Sequence, residues 1–406
     1  VNTIELDDVH GGYESRQIGA RMRSTVFTDE HVAFRDMLRD FIAREVAPVF
    51  PQWEHDGHPP RDFYRRMGEL GLLGIQAPVE YGGGGATDFT YSLVMAQETA
   101  RAGVTFGNQA AHSELILPYL MRYCTAEQKQ RWLPDFCSGE LMTAIAMTEP
   151  GTGSDLAGIV TRAELSDDGT YYRLNGAKTF ITGGALADLV LVVCRTSAPS
   201  TNDRRAGLSI LCVETSSEGF EVGRKIQKIG MKTSDTVELA FTDVRVPAEN
   251  LLGEDGMAFA YLASNLAQER LSVAISSYAA AAAAVEFAKD YVRERTVFGK
   301  PVAAFQNTKF VLAECVTEVA ASQLMVERAL AEHNVHALSE ADAAVAKLFC
   351  TEVAGRVIDK CVQLHGGYGY VLDYPIARLY ADTSDTLIIG GTSEVMKMII
   401  SKELLK

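Results

Sequence analysis

The chain has 406 residues, long enough for two or three domains and for burial of a sizeable cofactor. It carries 53 acidic against 38 basic side chains, a net charge of −15, which argues against nucleic acid as a partner. Seven cysteines, odd in number and never spaced as CxxC, point to reduced thiols in an intracellular compartment and away from structural zinc. No metal site is expected. The N-terminus lacks a signal-type apolar core and no run approaches the length of a membrane span, so a soluble protein without stable membrane insertion is expected. Val1 leaves open a processed or unusually initiated start.

Residues 1–24 are polar and irregular and read as a tail. Thr28 is placed to cap a helix over Asp29 to Val46, with Phe34, Leu38, Phe41 and Ile42 at helical spacing and Pro48 closing it. A helix over Arg61 to Leu70 follows. The four consecutive glycines Gly82 to Gly85 read as a flexible connector. Helical periodicity returns over Phe89 to Ala102, Glu114 to Tyr123 and Ala126 to Cys137, with Pro118 a kink or a start. Residues 25–142 therefore read as a helical domain.

The texture then changes to short apolar runs: Ala144 to Thr148, Tyr171 to Leu174, Leu189 to Cys194, Leu208 to Val213 and Val237 to Phe241. Turn signals at Asp168-Gly169, Asn175-Gly176 and Gly183-Gly184 separate them. This spacing predicts a compact barrel or sandwich over 143–255 rather than a parallel sheet. From Gly256 the pattern is helical through Ala288, then over Phe305 to His333, Ser339 to His365 and Ser393 to Leu405, giving a helical domain over 256–406. The alanine run Ala279 to Ala284 suits close helix packing.

Two features carry chemistry. From Met257 to Ala284 the only charged residues are the neighbours Glu269 and Arg270. Neighbours do not face each other on a helix, so each must find a partner elsewhere. Glu269 shares a stripe with Leu262, Leu266 and Val273, which sets a carboxylate in an apolar wall. Two readings stand at this point: a structural ion pair, or an acid or base. The second feature is the strand that breaks into the loop Thr148-Glu149-Pro150-Gly151-Thr152-Gly153-Ser154-Asp155. Its glycines suit either close approach to a planar or phosphate-bearing ligand or a tight turn.

With this loop the sequence resembles the acyl-CoA dehydrogenase family, and the resemblance extends over nearly the whole chain beyond the tail. Supporting motifs are Lys178-Thr179-Phe180-Ile181-Thr182, Gly230 to Asp235, Asp243 to Pro247, Leu252 to Gly256, Arg293 to Lys300 with Gln306, and Gln363 to Gly369. The resemblance implies an α+β multidomain fold: an N-terminal α-helical domain, a middle β-barrel and a C-terminal four-helix bundle, assembled as a homotetramer. It implies FAD as cofactor, acyl-CoA as substrate, and oxidation of the thioester to its trans-2-enoyl form in fatty-acid β-oxidation, with electrons leaving to an electron-transferring flavoprotein. It assigns flavin contacts to Met147, Thr148, Ser154, Phe180, Thr182, Thr392 and Glu394, and contacts to the flavin of a neighbouring subunit to Arg295, Phe298, Gln306, Gln363 and Gly367. Ser154, Arg270 and Gly391 are the expected substrate contacts. Location is expected to be the bacterial cytoplasm, or the mitochondrial matrix in a eukaryote.

Many members of the family place the catalytic glutamate directly before Gly-Thr-Ser near the C-terminus, where this chain has Gly390 before Gly391-Thr392-Ser393. The resemblance then points to the long-chain and isovaleryl branch, whose base stands before an arginine on the long helix, as Glu269 stands before Arg270. Gly390 is left to offer its N–H to the thioester oxygen. Glu394 is the competing carboxylate, while Glu98 and Glu149 read as structural. Residues Cys361 to Tyr370, Tyr374 to Arg378, Phe180 and the Gly390-Gly391 pair are closer to the long-chain type, so medium or long acyl chains, including branched ones, are expected. The alternatives are a short branched-chain dehydrogenase and a flavin monooxygenase of the same fold. Retention of Glu269 and Arg270 speaks against the monooxygenase, and the end at Lys406, without the oxidases' usual C-terminal extension, against an oxidase.

Overall fold

The computed structural model describes residues 24–201 and 203–406, so nearly all of the expected tail lies outside the described residues. Helices α1 (Asp29–Phe41), α2 (Phe50–Asp56), α3 (Arg61–Glu69), α4 (Thr90–Ala102), α5 (Leu117–Tyr123) and α6 (Ala126–Ser138) form the first domain. Thr28 caps α1 as expected, its backbone N–H donating to His31 Nδ1 at 3.1 Å. The first helix widens into a π turn at Ile42–Val46 and ends before Pro48, and Pro118 sits in the first turn of α5, where its missing N–H costs nothing. The helix α2 was hidden by Pro51, which also lies in a first turn.

The glycine run is not a flexible connector. Gly84 N–H donates to Gly74 O and Gly85 N–H to Ala77 O, both at 2.9 Å, and a Cβ on Gly83 would stand 2.1 Å from Ala77 O. Glycine is required there because two backbone segments touch.

The middle domain is one curled seven-stranded sheet: β1 (Thr143–Ala146), β2 (Arg162–Leu165), β3 (Tyr171–Thr182), β4 (Leu189–Arg195), β5 (Leu208–Glu214), β6 (Phe220–Lys225) and β7 (Thr236–Pro247). Its order is β1-β4-β2-β3-β7-β6, with β5 on the free edge of β4. The pairing is mixed: β1 runs parallel to β4, against the expectation of no parallel sheet, and most other pairs are antiparallel. Asn175-Gly176 is not a turn but a bulge inside the 12-residue β3, where the register against β7 shifts between Leu174 and Gly176. In β4, Leu189, Leu191 and Val193 face the helices of the first domain while Val190, Val192 and Cys194 face the sheet's own core. Burial on both faces explains the unbroken apolar run.

The last domain begins with α7 (Ala258–Glu294), followed by the short hairpin β8 (Thr296–Val297) and β9 (Lys300–Pro301). Then come α8 (Gln306–Asn334), α9 (Glu340–His365), α10 (Pro375–Thr383) and α11 (Ser393–Leu404). Helix α7 runs to Glu294, not Ala288, and by length and composition it could cross a membrane, contrary to the sequence expectation. Yet 67% of its most apolar stretch is buried inside the protein. Ala281, Ala282 and Ala284 lie in a core shared with Phe89, just before α4, with Leu93 of α4 and with α8 and α9, so the alanine run is a helix contact. All seven cysteines are free and buried.

Candidate active site

Glu269 lies near the middle of α7 and is 6% exposed. Its Oε1 accepts a hydrogen bond from the Tyr119 hydroxyl of α5 at 3.1 Å. Burial pushes the carboxyl up from 4.5 to about 7, against the opposing pull of the Tyr119 hydrogen bond and, after it, the Arg270 charge. Leu266 and Val273 on the same stripe are only half-buried, so this face of α7 borders accessible space. The segment carrying Tyr119 is fixed on both sides of Glu269. Gln268 donates to Glu114 O at 2.8 Å, and the Ser272 hydroxyl donates to the Glu114 carboxylate.

Arg270 points elsewhere, as its place in the sequence required. It is buried and its Nη1 donates to Glu340 Oε1 at 3.2 Å, at the start of α9. Its Nε is buried without a hydrogen-bond partner among the described residues.

Gly390 and Gly391 both adopt left-handed backbone, with φ of +64° and +99°. A Cβ on Gly390 would meet only Val273 Cγ2, at 3.6 Å, which sets this glycine one helical turn along α7 from Glu269. The Gly390 N–H donates to no acceptor among the described residues. The loop is held by a residue that sequence reading missed: Lys347 of α9, fully buried, whose Nζ donates to Gly391 O at 2.8 Å. Burial first, then the nearby Arg270 charge, bring its pKa down to about 8. Thr392 accepts from Val395 N–H and caps α11. Glu394, in the first turn of α11, is exposed, and its own backbone N–H and the Thr392 hydroxyl hold its carboxyl below the ordinary range. It has none of the surroundings that make Glu269 basic.

Two further motifs meet in the middle domain. Lys178, fully buried, donates from Nζ to Met147 O and to Glu149 Oε1, both at 2.9 Å, and Thr179 N–H donates to Thr148 O at 3.0 Å. Glu149 also accepts from the N–H groups of Val160 and Thr161. This buried pair locks the Thr148 loop beside β3, a structural role that the sequence had assigned to Glu149. Just beyond it the register against β7 slips between Lys178 and Ile181. Phe180 is forced to φ +58° and is 64% exposed, an aromatic ring held out in a costly backbone conformation, while Thr182 is half-buried. Ser154 is exposed in the loop, and Cβ atoms on Gly151 or Gly153 would meet nothing within 4 Å, so a planar or phosphate-bearing group can approach that backbone. Glu98 is structural, bridged to Arg39 and Arg101 at 2.8 Å each and to Arg35 at 3.4 Å.

A third cluster sits at the far end of α7. Arg295, Gln363 and Gly367 line one surface cavity of about 480 Å³ with Tyr291, His365 and Tyr368. Phe298, 95% exposed, and Gln306, the first residue of α8, stand outside the lining.

Family models describe the chain in three consecutive parts: an acyl-CoA dehydrogenase N-terminal domain over residues 28–140, a middle domain over 144–244 and a C-terminal domain over 255–405. The mitochondrial long-chain specific acyl-CoA dehydrogenase of Rattus norvegicus is 40% identical over 405 residues, covering 97% of this chain and 93% of that protein. The crystal structure of an acyl-CoA dehydrogenase from Geobacillus kaustophilus superposes with a TM-score of 0.90 at 45% identity, over 94% of this chain and all of that one. One from Bacillus anthracis, complexed with FAD, superposes with a TM-score of 0.86 at 32% identity, over 94% of this chain and 67% of that one.

Proposed function

We infer, from the premise that this chain belongs to the acyl-CoA dehydrogenase family of FAD-dependent oxidoreductases, that Glu269 is its base and that medium or long acyl-CoA thioesters are its substrates. The observation that carries the reading is a buried carboxylate with one oxygen held, one helical turn along α7 from the residue that Gly390 touches. The residues present suit FAD: a backbone ledge open beside Ser154, the Phe180 ring held outward, and the cavity containing Arg295. FAD, when bound, supplies the acceptor for the β-hydrogen, which leaves as hydride.

The chain's own residues do the rest. The α-proton beside a thioester is only weakly acidic, so its removal needs a base near neutrality and a donor where negative charge gathers on the carbonyl oxygen. Glu269 is brought near neutrality by burial and takes the proton. Gly390 offers an uncommitted N–H to the oxygen, and Lys347 fixes that turn through the Gly391 carbonyl. The half-buried Leu266 and Val273 give the acyl chain an apolar wall. Arg270, held by Glu340, acts on substrate through its charge.

Thr148, Met147, Phe180, Thr182, Ser154, Thr392 and Glu394 would hold the flavin of the same subunit. Arg295, Phe298, Gln306, Gln363 and Gly367 would hold that of a neighbour in a homotetramer. Electrons would pass to an electron-transferring flavoprotein, the pathway being fatty-acid β-oxidation in the bacterial cytoplasm or the mitochondrial matrix. Anaerobic titration of the flavin-loaded protein with acyl-CoAs of graded length and branching tests the reading. Rapid bleaching with medium or long chains supports it, and bleaching confined to short branched chains would move the assignment to that branch. Peroxide formed in air as fast as dye-coupled turnover would make the enzyme an oxidase.

A further inference from the structure

We infer that Tyr119 is a positioning residue for the base: its hydroxyl pins Glu269 Oε1, so that only Oε2 is presented to the substrate. The inference rests on the reading of Glu269 as the base. Tyr119 is fully buried and its hydroxyl lies 3.1 Å from Oε1. Oε2 carries no hydrogen bond among the described residues, yet it is not among the buried unpaired atoms, so it opens onto accessible space. A carboxylate with both oxygens free turns about its last bond. One held at Oε1 offers its other oxygen in a constant direction, and directional presentation of a base is worth a large share of a proton-transfer rate.

The surroundings make Tyr119 a fixed donor. Burial, and then the Glu269 charge, push its phenol well above its ordinary value, so the hydroxyl keeps its proton throughout. Its segment is clamped along α7 by Gln268 and Ser272, the residues one before and three after Glu269. When Oε2 takes the α-proton, Oε1 becomes the carbonyl oxygen of the neutral acid and still accepts from Tyr119. No proton moves at tyrosine.

The other charged groups around the base make their hydrogen bonds elsewhere. Arg270 bonds to Glu340 of α9, Lys347 of α9 bonds to Gly391, and Glu114 accepts from Ser272. Asn265, one turn before Glu269 on α7, accepts from Arg122 of α5 at 2.7 Å through Oδ1, while its buried Nδ2 stays near the Tyr119 hydroxyl and has no hydrogen bond of its own among the described residues. Tyr119 alone among the described residues has a hydrogen bond to the Glu269 carboxylate.

The test is Tyr119→Phe in the flavin-loaded enzyme, with kcat followed against pH. Loss of the hydrogen bond should lower kcat about tenfold, leave KM within about twofold, and raise the midpoint of the rising limb by roughly half to one pH unit. The midpoint rises because the lost bond favoured the ionised carboxylate. Tyr123→Phe removes a hydroxyl from the same helix, one that bonds to Ser264, and should change nothing. Glu269→Gln separates the two levels of the argument. If that variant were active, the reading of the base would fall. If it were inactive while Tyr119→Phe kept the wild-type kcat and midpoint, this inference alone would fall. Should Tyr119→Phe fail to load flavin, the pH dependence of its unfolding in urea reads the same shift of the Glu269 carboxyl without flavin or turnover, and an unshifted profile overturns the inference. A lower melting temperature with an unmoved midpoint means that Tyr119 is only structural.

Discussion

Glu269→Gln should cost activity and gain stability, and the gain should depend on pH. The folded protein raises this carboxyl from 4.5 to about 7, chiefly by burial. A rise of roughly 2.5 units corresponds to about 3 kcal/mol between the protonation states. The folded form binds the proton more tightly than the unfolded chain does. Below about pH 4.5 both states are protonated and nothing is lost; the loss grows between about pH 4.5 and 7 and is complete above it. Glutamine cannot ionise, so it escapes that loss while keeping the size and the Tyr119 contact. The stability advantage of the variant should therefore widen by about 3 kcal/mol from acid to mildly alkaline conditions. Urea unfolding of both flavin-loaded proteins at about pH 5 and about pH 8 measures it. Turnover at about pH 8 should fall by about 10² to 10⁴ or more. A gap that did not change with pH would refute the claim that burial tunes this group, and turnover within a few-fold of wild type would refute its role as the base.

Arg295→Ala should weaken flavin retention, measured as FAD content after gel filtration; if the tetramer is the assembly, it should loosen with it. Gly391→Ala should harm the protein more than Gly390→Ala, because its φ of +99° lies farther from the left-handed region that an alanine can adopt than the +64° of Gly390, and its Cβ would also press Val395 Cγ1 at 3.3 Å. Paired melting curves and turnover check this, and equal losses would contradict it. Lys347→Met removes a buried cation that has no carboxylate within ion-pair distance among the described residues, and it releases the Gly391 carbonyl. Folding should survive, since the chain fills the same space, while kcat falls roughly tenfold as the Gly390 turn loosens. Unchanged kcat would show that the turn holds itself.

What the sequence made legible depended on contrast. Two charges in an otherwise uncharged, mostly apolar run of 28 residues stand out, and Glu269 and Arg270 did have to find partners on other helices. Tyr119 had no such contrast, because a tyrosine in an apolar segment is an ordinary core residue until its hydroxyl is seen against a carboxylate 150 positions away. Lys347 was hidden for the converse reason: a lysine at a helical spacing reads as a solvated face. The glycine run and Asn175-Gly176 carried turn chemistry that tertiary contacts overrode, one by backbone packing and the other by a bulge. Strand β6, exposed at every position but Phe220, gave no apolar alternation to read.

Tyr119 and Lys347, the residues that the sequence did not reveal, share one property: each lies on a different element from the group it holds. Glu269 belongs to the C-terminal helical domain and Tyr119 to the N-terminal one, so the proposed base and the hydroxyl that bonds to it come from different domains. Gly390 lies against Val273 of α7, and Lys347 of α9 holds the adjoining turn. Each group proposed for catalysis thus has its contact on another element, and its direction depends on how helices pack rather than on any local motif. A substitution that shifts α5 against α7 should then lower kcat before it lowers flavin content, since the contacts at Lys178 and Glu149 that shape the middle-domain loop are independent of that packing.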